Sequence, residues 1–441
     1  MNLPTFAFPE AAYLNPTIWT RNDWLDRAIV TLVYLFGEGK MRGLFSLMFG
    51  ASALLLISRA EKRGAGIGVA DIYYRRTLWL LVFGLLHAYL IWAGDILFPY
   101  AVVGLLLFPF RLLSARTLLI VAGIQLSILT LGSLVDAVDA RDRWQEFQQV
   151  QALQETTPLT EKQREALEEG LKMEREARPP RTKLEEEVKA YRGGYLENLK
   201  ARATTTWKWH RYPIYFPAFW DAMAMMLIGM ALCKTGVLTG EKSDRFYWSL
   251  AAVGALAGFT INGLTMWSKF RHDFDATRGF FDEIGYEAGR VSMALCYMAL
   301  VVLAVRHGWA RGLTSRLTAV GQMAFSNYIS HSLICSVIFY GGYGFGLIGR
   351  LERWQVYGMA PAIWAFNLAW SPWWLARYRF GPLEWAWRSL TYGRRQPWRR
   401  FPPTPAPSSA VIAEADEEVA VRSTRLDGGA SKEEAPPSGQ L

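Results

Sequence analysis

Long apolar stretches recur along the chain, and they constrain its fold more than any other feature. About 20 residues of helix are needed to cover a hydrocarbon core of about 30 Å. The sequence therefore predicts an all-α, polytopic integral membrane protein with about nine transmembrane helices. The candidate spans are 41–59, 75–93, 95–112, 115–136, 213–236, 244–266, 286–306, 315–340 and 355–376. The shorter amphipathic stretch 23–37 is predicted to be an interfacial helix.

Composition supports a membrane protein and excludes several other classes. The chain has 19 Trp, a residue that membrane proteins concentrate at the headgroup boundary. Its net charge of +9 does not indicate nucleic-acid binding, because the basic residues alternate with apolar runs instead of forming one stripe. The three cysteines, Cys233, Cys296 and Cys335, lie in apolar segments without metal-ligand spacing, so no metal site and no disulfide framework are expected.

Basic residues fall in every second connection between the candidate spans, which predicts the orientation of the chain. They are Arg59, Lys62, Arg63, Arg75 and Arg76, then Arg111 and Arg116, then Lys234, Lys242 and Arg245, then Arg306, Arg311 and Arg316, and finally the arginines from Arg377 to Arg400. These connections and the C-terminus are predicted to face the cytoplasm. The predicted location is the bacterial cytoplasmic (inner) membrane, with the lipid bilayer as partner and the oligomeric state left open.

This orientation places residues 1–40 outside the cell, because the span 41–59 must then run inward. A start outside needs a signal or a preceding helix, and the opening "MNLPTFAFPE" is neither basic nor long enough to be one. The sequence therefore favours a missing N-terminal helix, which would bring the count to ten. Direct translocation of a short N-terminal segment is the alternative.

Charge divides the chain into four parts. Residues 1–136 and 213–398 are predicted to be two membrane halves, separated by a charged insertion at 137–212. Within the insertion, "PLTEKQREALEEGLKMEREA" offers Thr160 as a helix cap, so an extracytoplasmic helical insertion is expected. Residues 399–441 are rich in Pro, Ala, Ser and Glu and are predicted to be a disordered cytoplasmic tail.

Four motifs in order carry a resemblance to a bacterial family of YeiB-like membrane proteins, whose C-terminal half is a domain of unknown function. They are "GKMRGLFSLMFGAS" (39–52), "HAYLIWAGDILFPYAVVGLLLFP" (87–109), "AVGQMAFSNYISHSLICSVIFYGGYGFGL" (319–347) and "RFGPLEWAWRSLTYGRRQP" (379–397). The family usually opens with a helix carrying an L-D-x-L-R-G signature, which is absent here. The resemblance implies a distant relation to transmembrane acyltransferases that use acetyl-CoA, a likeness of fold that does not fix function.

His87 and Asp95 are the candidate catalytic residues. In the predicted topology His87 lies about two turns, roughly 10 Å, below the outer turn at Gly94. A charge or imidazole at that depth must face the bundle interior, where a histidine can act as a general base toward a hydroxyl near neutral pH. A histidine hydrogen-bonded between helices is the alternative. Asp95 opens the next helix, so capping competes with a catalytic role.

Further polar residues in or beside the spans are candidates for binding a substrate. They are Lys40, Arg42, Asp221, Glu287, Arg290, Asn327 and His331. All of these except Asp221 have a structural alternative. Lys40 and Arg42 are placed to extend toward the headgroups, and Glu287 and Arg290 share a helix face and can pair. Asn327 and His331 lie four residues apart on one face, where they can join helices by hydrogen bonds.

Two classes of function remain after a search for other signatures. The chain has no G-x-x-x-x-G-K-[ST] loop, no H-E-x-x-H and no G-x-S-x-G, which disfavours an ATP-driven pump. The first class is an acyltransferase that moves an acyl group from a cytoplasmic thioester, such as acetyl-CoA, to an extracytoplasmic hydroxyl or amine of a small molecule. The second is a transporter or flippase, which the missing internal repeat disfavours.

A shared site would bring the polar residues of different spans together. At least five of eight side chains are predicted to line one outward-opening cavity with His87 near its floor. The eight are His87, Asp95, Lys40, Arg42, Asp221, Glu287, Arg290 and Asn327.

Overall fold

The structure is a computed structural model that describes residues 2–20, 23–64, 66, 68–154, 158–211, 217–274, 282 and 284–400. Its named elements are all helical within these residues, as the sequence predicts. A single backbone bridge joins Tyr378 to Arg399 outside the helices. Residues 401–441, which make up nearly all of the predicted tail, lie outside the described residues.

The helices follow one another along the whole described chain. They are α1 (Leu3–Ala7), α2 (Glu10–Leu14), α3 (Trp24–Phe36), α4 (Lys40–Lys62), α5 (Gly68–Leu90), α6 (Leu97–Leu107), α7 (Ala115–Gln154), α8 (Glu161–Ala177), α9 (Arg181–Arg192), α10 (Tyr195–His210), α11 (Pro217–Lys234), α12 (Asp244–Arg271), α13 (Tyr286–Arg306), α14 (Arg311–Gln322), α15 (Ala324–Phe339), α16 (Arg353–Gly358), α17 (Ala360–Leu375) and α18 (Pro382–Tyr392).

Five helical segments of the described chain are long and apolar enough to cross a membrane. These are the α3–α4 segment Trp24–Lys62, α7, α11, α12 and α13. A chain with this many apolar helices of membrane-spanning length is a membrane protein. The stretch predicted to be interfacial forms α3, which a turn of Gly37 to Gly39 separates from α4.

Several predicted spans differ from the helices that form. The 95–112 stretch gives the 11-residue α6, because Pro109 cannot continue the helix and a 3-10 turn follows. The 315–340 stretch is divided into α14 and α15 at Met323, whose backbone is not helical. The 355–376 stretch is divided at Met359. The insertion begins as a continuation of α7 and then forms α8, α9 and α10.

Glycines allow α4 and α11 to cross in direct backbone contact. A Cβ on Gly50 would overlap the carbonyl oxygen of Met226, and a Cβ on Gly229 would overlap that of Leu47. The residues that they approach, Leu47 and Met226, belong to a buried apolar cluster that is rich in methionine from α11. Small residues serve this purpose between membrane helices, where packing replaces the hydrophobic effect as the source of association.

Alanine at Gly229 is therefore expected to destabilise the protein. Overpacking costs roughly 1–3 kcal/mol and should lower the thermal midpoint of the detergent-solubilised protein. Gly123→Ala on α7 is the matched control, because its Cβ would meet nothing within 4 Å and alanine is the better helix former. The control should leave the midpoint unchanged or raise it slightly. Equal midpoints for the two variants would contradict the close crossing.

The connecting segments contact one another at two separate ends of the bundle. At the insertion end, defined as the Gly94–Asp95 turn, α8–α10 and the turn 341–352, Arg192 donates to the carbonyl oxygen of Ile348 at 2.6 and 3.0 Å. Its neighbour Tyr191 accepts a hydrogen bond from the backbone of Gly341. The insertion therefore packs on the glycine-rich turn of the second half of the chain.

The basic end is defined as the connections that carry Arg76, Arg111, Lys234, Arg306 and Arg377. Lys234 Nζ donates to the carbonyl oxygens of Arg111 and Leu113, and the Trp387 indole of α18 donates to the carbonyl oxygen of Arg76. The guanidinium of Arg76 also lies 3.8 Å over the Trp387 ring. Connections that the charge pattern assigns to one side are thus joined to each other by direct contacts.

Candidate functional site

His87 and Asp95 form a buried hydrogen-bonded pair between the end of α5 and the turn before α6. His87 Nδ1 lies 2.7 Å from Asp95 Oδ1, and the two side chains are 1% and 0% exposed. The second carboxylate oxygen, Asp95 Oδ2, accepts from the Phe98 backbone N–H at 2.6 Å. Asp95 therefore performs both roles that the sequence left open, because it caps α6 and binds the imidazole.

Tyr328 of α15 completes this group. Its hydroxyl donates to Asp95 Oδ1 at 3.4 Å and accepts from the Ile96 N–H at 3.1 Å. Its ring centroid lies 5.1 Å from that of His87. The sequence did not single out Tyr328, although it directly follows Asn327 within the 319–347 motif.

The pair has the geometry of an oriented base. Because the Asp95 carboxylate is an acceptor, it favours the imidazole tautomer that carries the proton on Nδ1. The lone pair of Nε2 is then free to accept a proton. Nε2 is buried and has no hydrogen-bond partner among the described residues. An imidazole oriented by a carboxylate at one nitrogen and carrying a free lone pair at the other has two features of a general base.

A second group joins α4, α11 and α13 through Asp221. Arg42 Nη2 lies 2.8 Å from Asp221 Oδ2, and Arg290 Nη2 pairs with both Asp221 Oδ1 and Glu287 Oε2. The Arg290 and Asp221 side chains are 1% and 4% exposed, whereas that of Arg42 is 35% exposed. The predicted pairing of Glu287 with Arg290 on one helix face is present. Two cations and two carboxylates neutralise each other in this group, as buried charges require.

The remaining candidates have local partners. Lys40, which is fully buried, donates from Nζ to the Tyr34 carbonyl oxygen at 2.6 Å and lies 4.4 Å over the Tyr34 ring. Asn327 donates to the Val320 carbonyl oxygen and to Ser371 Oγ, each at 3.1 Å. His331 Nε2 accepts a hydrogen bond from Asn367 of α17. Asn327 and His331 thus join α15 to neighbouring segments.

Hydrogen bonds and ion pairs therefore place six of the eight side chains predicted to share a cavity in two separate groups. His87 and Asp95 form one group, and Arg42, Asp221, Glu287 and Arg290 form another. Two cavities elsewhere, of about 410 Å³ between α3 and α12 and about 440 Å³ between α14 and α17, are lined by none of the eight. A common outward-opening cavity stays a prediction.

His210 ends α10 beside the segment that carries Asp95. Its ring stacks on Phe98, with centroids 3.9 Å apart, and meets the Tyr89 ring edge-on. Burial lowers the pKa of the His210 imidazole, although the Asp95 carboxylate acts to raise it. No local sequence signal links His210 to the segment of Asp95, because their proximity depends on how the insertion folds back.

Comparison with known proteins finds one family model and several relatives that resemble this chain. Residues 232–394 match the family model described as a protein of unknown function (DUF418). The chain is 29% identical over 411 residues to the uncharacterized protein YxaH of Bacillus subtilis, covering 90% of this chain and 91% of YxaH. It is 28% identical over 406 residues to the uncharacterized protein YeiB of Escherichia coli, covering 89% and 91%. The chain is thus similar to YxaH and YeiB over about nine-tenths of its length.

The resemblance found in the sequence is thus confirmed for the family. No solved structure matches this YeiB-like chain. The region that the family model matches contains Tyr328 and the Glu287–Arg290 pair, whereas His87 and Asp95 precede it. The group around His87 therefore combines residues from before the matched region with Tyr328 from within it.

Proposed function

We propose that this protein is an acyltransferase of the bacterial inner membrane. It would move an acyl group from a cytoplasmic thioester donor, such as acetyl-CoA, to an extracytoplasmic hydroxyl or amine. One observation carries the proposal: the His87 imidazole is oriented by Asp95 through Nδ1, and its Nε2 is buried without a partner. An inert structural histidine would be expected to have both nitrogens satisfied.

The proposed reaction begins with the oriented base. His87 Nε2 takes the proton of the acceptor hydroxyl or amine as that oxygen or nitrogen attacks the thioester carbonyl. The carbon–sulfur bond then breaks, and the leaving thiolate takes up a proton. Asp95 stabilises the imidazolium that forms, and Tyr328 holds the carboxylate in place through its hydroxyl.

Acetyl-CoA is the probe for this activity. The purified protein in proteoliposomes is supplied with acetyl-CoA and a polar extract of bacterial envelope as the source of acceptors. Release of the free thiol that depends on both components supports a transferase. Release that is equal with and without the extract, or no release at all, contradicts the proposal.

The orientation of the chain is part of the proposal. Nine spans with a cytoplasmic C-terminus and an extracytoplasmic insertion are supported by the basic connections and by their mutual contacts at the basic end. We expect a phosphatase reporter, which is active only outside the cytoplasm, to be active when fused after Gly170. The same reporter should be inactive after Arg63 and after Arg400. The opposite pattern at Arg63 or Arg400 would overturn the orientation.

A transporter of a polar or amphipathic small molecule is the second candidate. It is favoured by the division of α14 from α15 at Met323, because transporters use interrupted helices to bind substrates. The two candidates differ in the residues that they require. Loss of flux on substitution of Arg42, with little change for His87→Gln, would favour the transporter.

A further inference from the structure

The last turn of α5, which presents His87, is held from outside by α10 of the insertion. Arg202 donates from Nε to the Tyr89 carbonyl oxygen and from Nη1 to that of Ile91, each at 3.1 Å. One turn further along α10, Thr206 Oγ1 donates to the Ala88 carbonyl oxygen at 3.1 Å. Arg202 and Thr206 are both 0% exposed.

These contacts satisfy backbone carbonyl groups at the C-terminal end of α5. The last four carbonyl groups of a helix have no partner within the helix, and leaving them unpaired away from water is costly. The carbonyl oxygen of His87 accepts hydrogen bonds from the backbone N–H groups of Ile91 and Trp92, which close the last turn of α5. Arg202 and Thr206 bind three of the carbonyls that follow, and a cation suits the negative end of the helix dipole.

The same helix also contacts the segment that carries Asp95. His210 at the end of α10 stacks on Phe98, whose backbone N–H binds Asp95 Oδ2. At the other end of α10, Asn198 Nδ2 donates to the carbonyl oxygens of Gly193 and Gly194. A Cβ on Gly342 would overlap the start of α10 at Tyr195. The helix is therefore fixed at its start and touches both segments of the His87–Asp95 pair.

We propose that Arg202 is a positioning residue for His87, and that the insertion thereby governs the geometry of the His87–Asp95 pair. Arg202 sets where the α5 helix ends and so holds Nδ1 within hydrogen-bond distance of Asp95 Oδ1. The consequence for catalysis rests on the proposed transferase function. The effect on the imidazole itself does not depend on that function.

Nuclear magnetic resonance of the histidines reports the tautomer of His87 directly. The chain has five His, so ¹⁵N-histidine labelling gives few signals, and His87→Gln assigns the one of interest. In the wild type, the His87 signals should show a proton on Nδ1 and an acceptor Nε2. Arg202→Met keeps an unbranched apolar stem but removes the charge and the donors. It should convert His87 to a mixture of tautomers.

Chemical modification gives a second readout. Acylation of His87 by diethyl pyrocarbonate should be faster in Arg202→Met by roughly tenfold or more, because the helix end opens more often. Arg178→Met is the matched control, since Arg178 also belongs to the insertion but makes an exposed ion pair with Asp273. This control should leave the His87 signals and the acylation rate unchanged.

Two milder variants keep the proposal falsifiable if Arg202→Met fails to fold. Thr206→Val removes one hydrogen bond, and Arg202→Lys keeps the charge. Both should shift the His87 signals in the same direction by less. Unchanged His87 signals in the folded variants would overturn the positioning role. Shifted signals in a protein that never releases thiol from acetyl-CoA would keep the positioning role and reject the proposed transferase.

Discussion

Replacement of His87 by glutamine is expected to lower acyl transfer by about 10²–10⁴-fold, the usual cost of removing a general base. Glutamine retains an amide N–H that can reach Asp95, so the buried carboxylate keeps a donor and the fold should survive. It has no nitrogen lone pair that can accept a proton near neutral pH. Thiol release from acetyl-CoA in proteoliposomes, with the thermal midpoint measured in parallel, separates the two effects.

Controls for this variant are available within the chain. His307→Gln alters a partly exposed histidine at the basic end, which pairs with Asp244 at 2.8 Å, and should leave thiol release unchanged. Asp95→Asn should also reduce transfer, because an amide no longer enforces the Nδ1–H tautomer. Full activity in a folded His87→Gln protein would eliminate His87 as the base.

Residue types and spacing predicted His87 and Asp95 separately but not their hydrogen bond. The two residues are eight apart, and a helix end and a turn lie between them, so helical periodicity cannot align them. The depth of His87 in an apolar stretch was the useful signal, because a buried imidazole needs a partner. Tyr328 and Arg202 come from distant parts of the chain, and only tertiary packing brings them to the pair.

Breaks within the predicted spans show a second limit of prediction from sequence. An apolar run of sufficient length predicts a continuous span, yet α14 ends at Gln322 and α15 begins at Ala324. The freed N–H groups of Phe325 and Ser326 are satisfied by Glu384 of α18, at 2.8 and 3.0 Å. Hydropathy cannot anticipate this break, because the compensating carboxylate lies almost 60 residues away in sequence.

Loss of the Asp221 carboxylate should have the largest effect on stability. Asp221→Leu leaves the buried Arg290 with Glu287 alone and deprives Arg42 of its partner at 2.8 Å. Removing one member of a buried ion pair costs about 3–5 kcal/mol, because the remaining charge stays out of water. We expect a large drop in the concentration of denaturant at the unfolding midpoint. Asp71→Leu, at an exposed pair with Arg75, should cost at most about 1 kcal/mol.

A double-mutant cycle tests whether this charged group is a structural unit. Arg290→Met alone leaves Asp221 and Glu287 buried with one cation, whereas the double variant Asp221→Leu with Arg290→Met removes a charge of each sign. The double variant should therefore be less destabilised than the sum of the single variants. Arg42 is less enclosed by protein than Arg290, since 35% of its side chain is exposed, so loss of its partner is expected to cost less. Strict additivity would mean that the two residues do not act as a pair.

The same double variant separates a structural role of this group from a functional one. A stable double variant that retains thiol release would assign the group to the scaffold and leave the chemistry to His87. One that loses flux of a small molecule would instead favour a substrate path through Asp221.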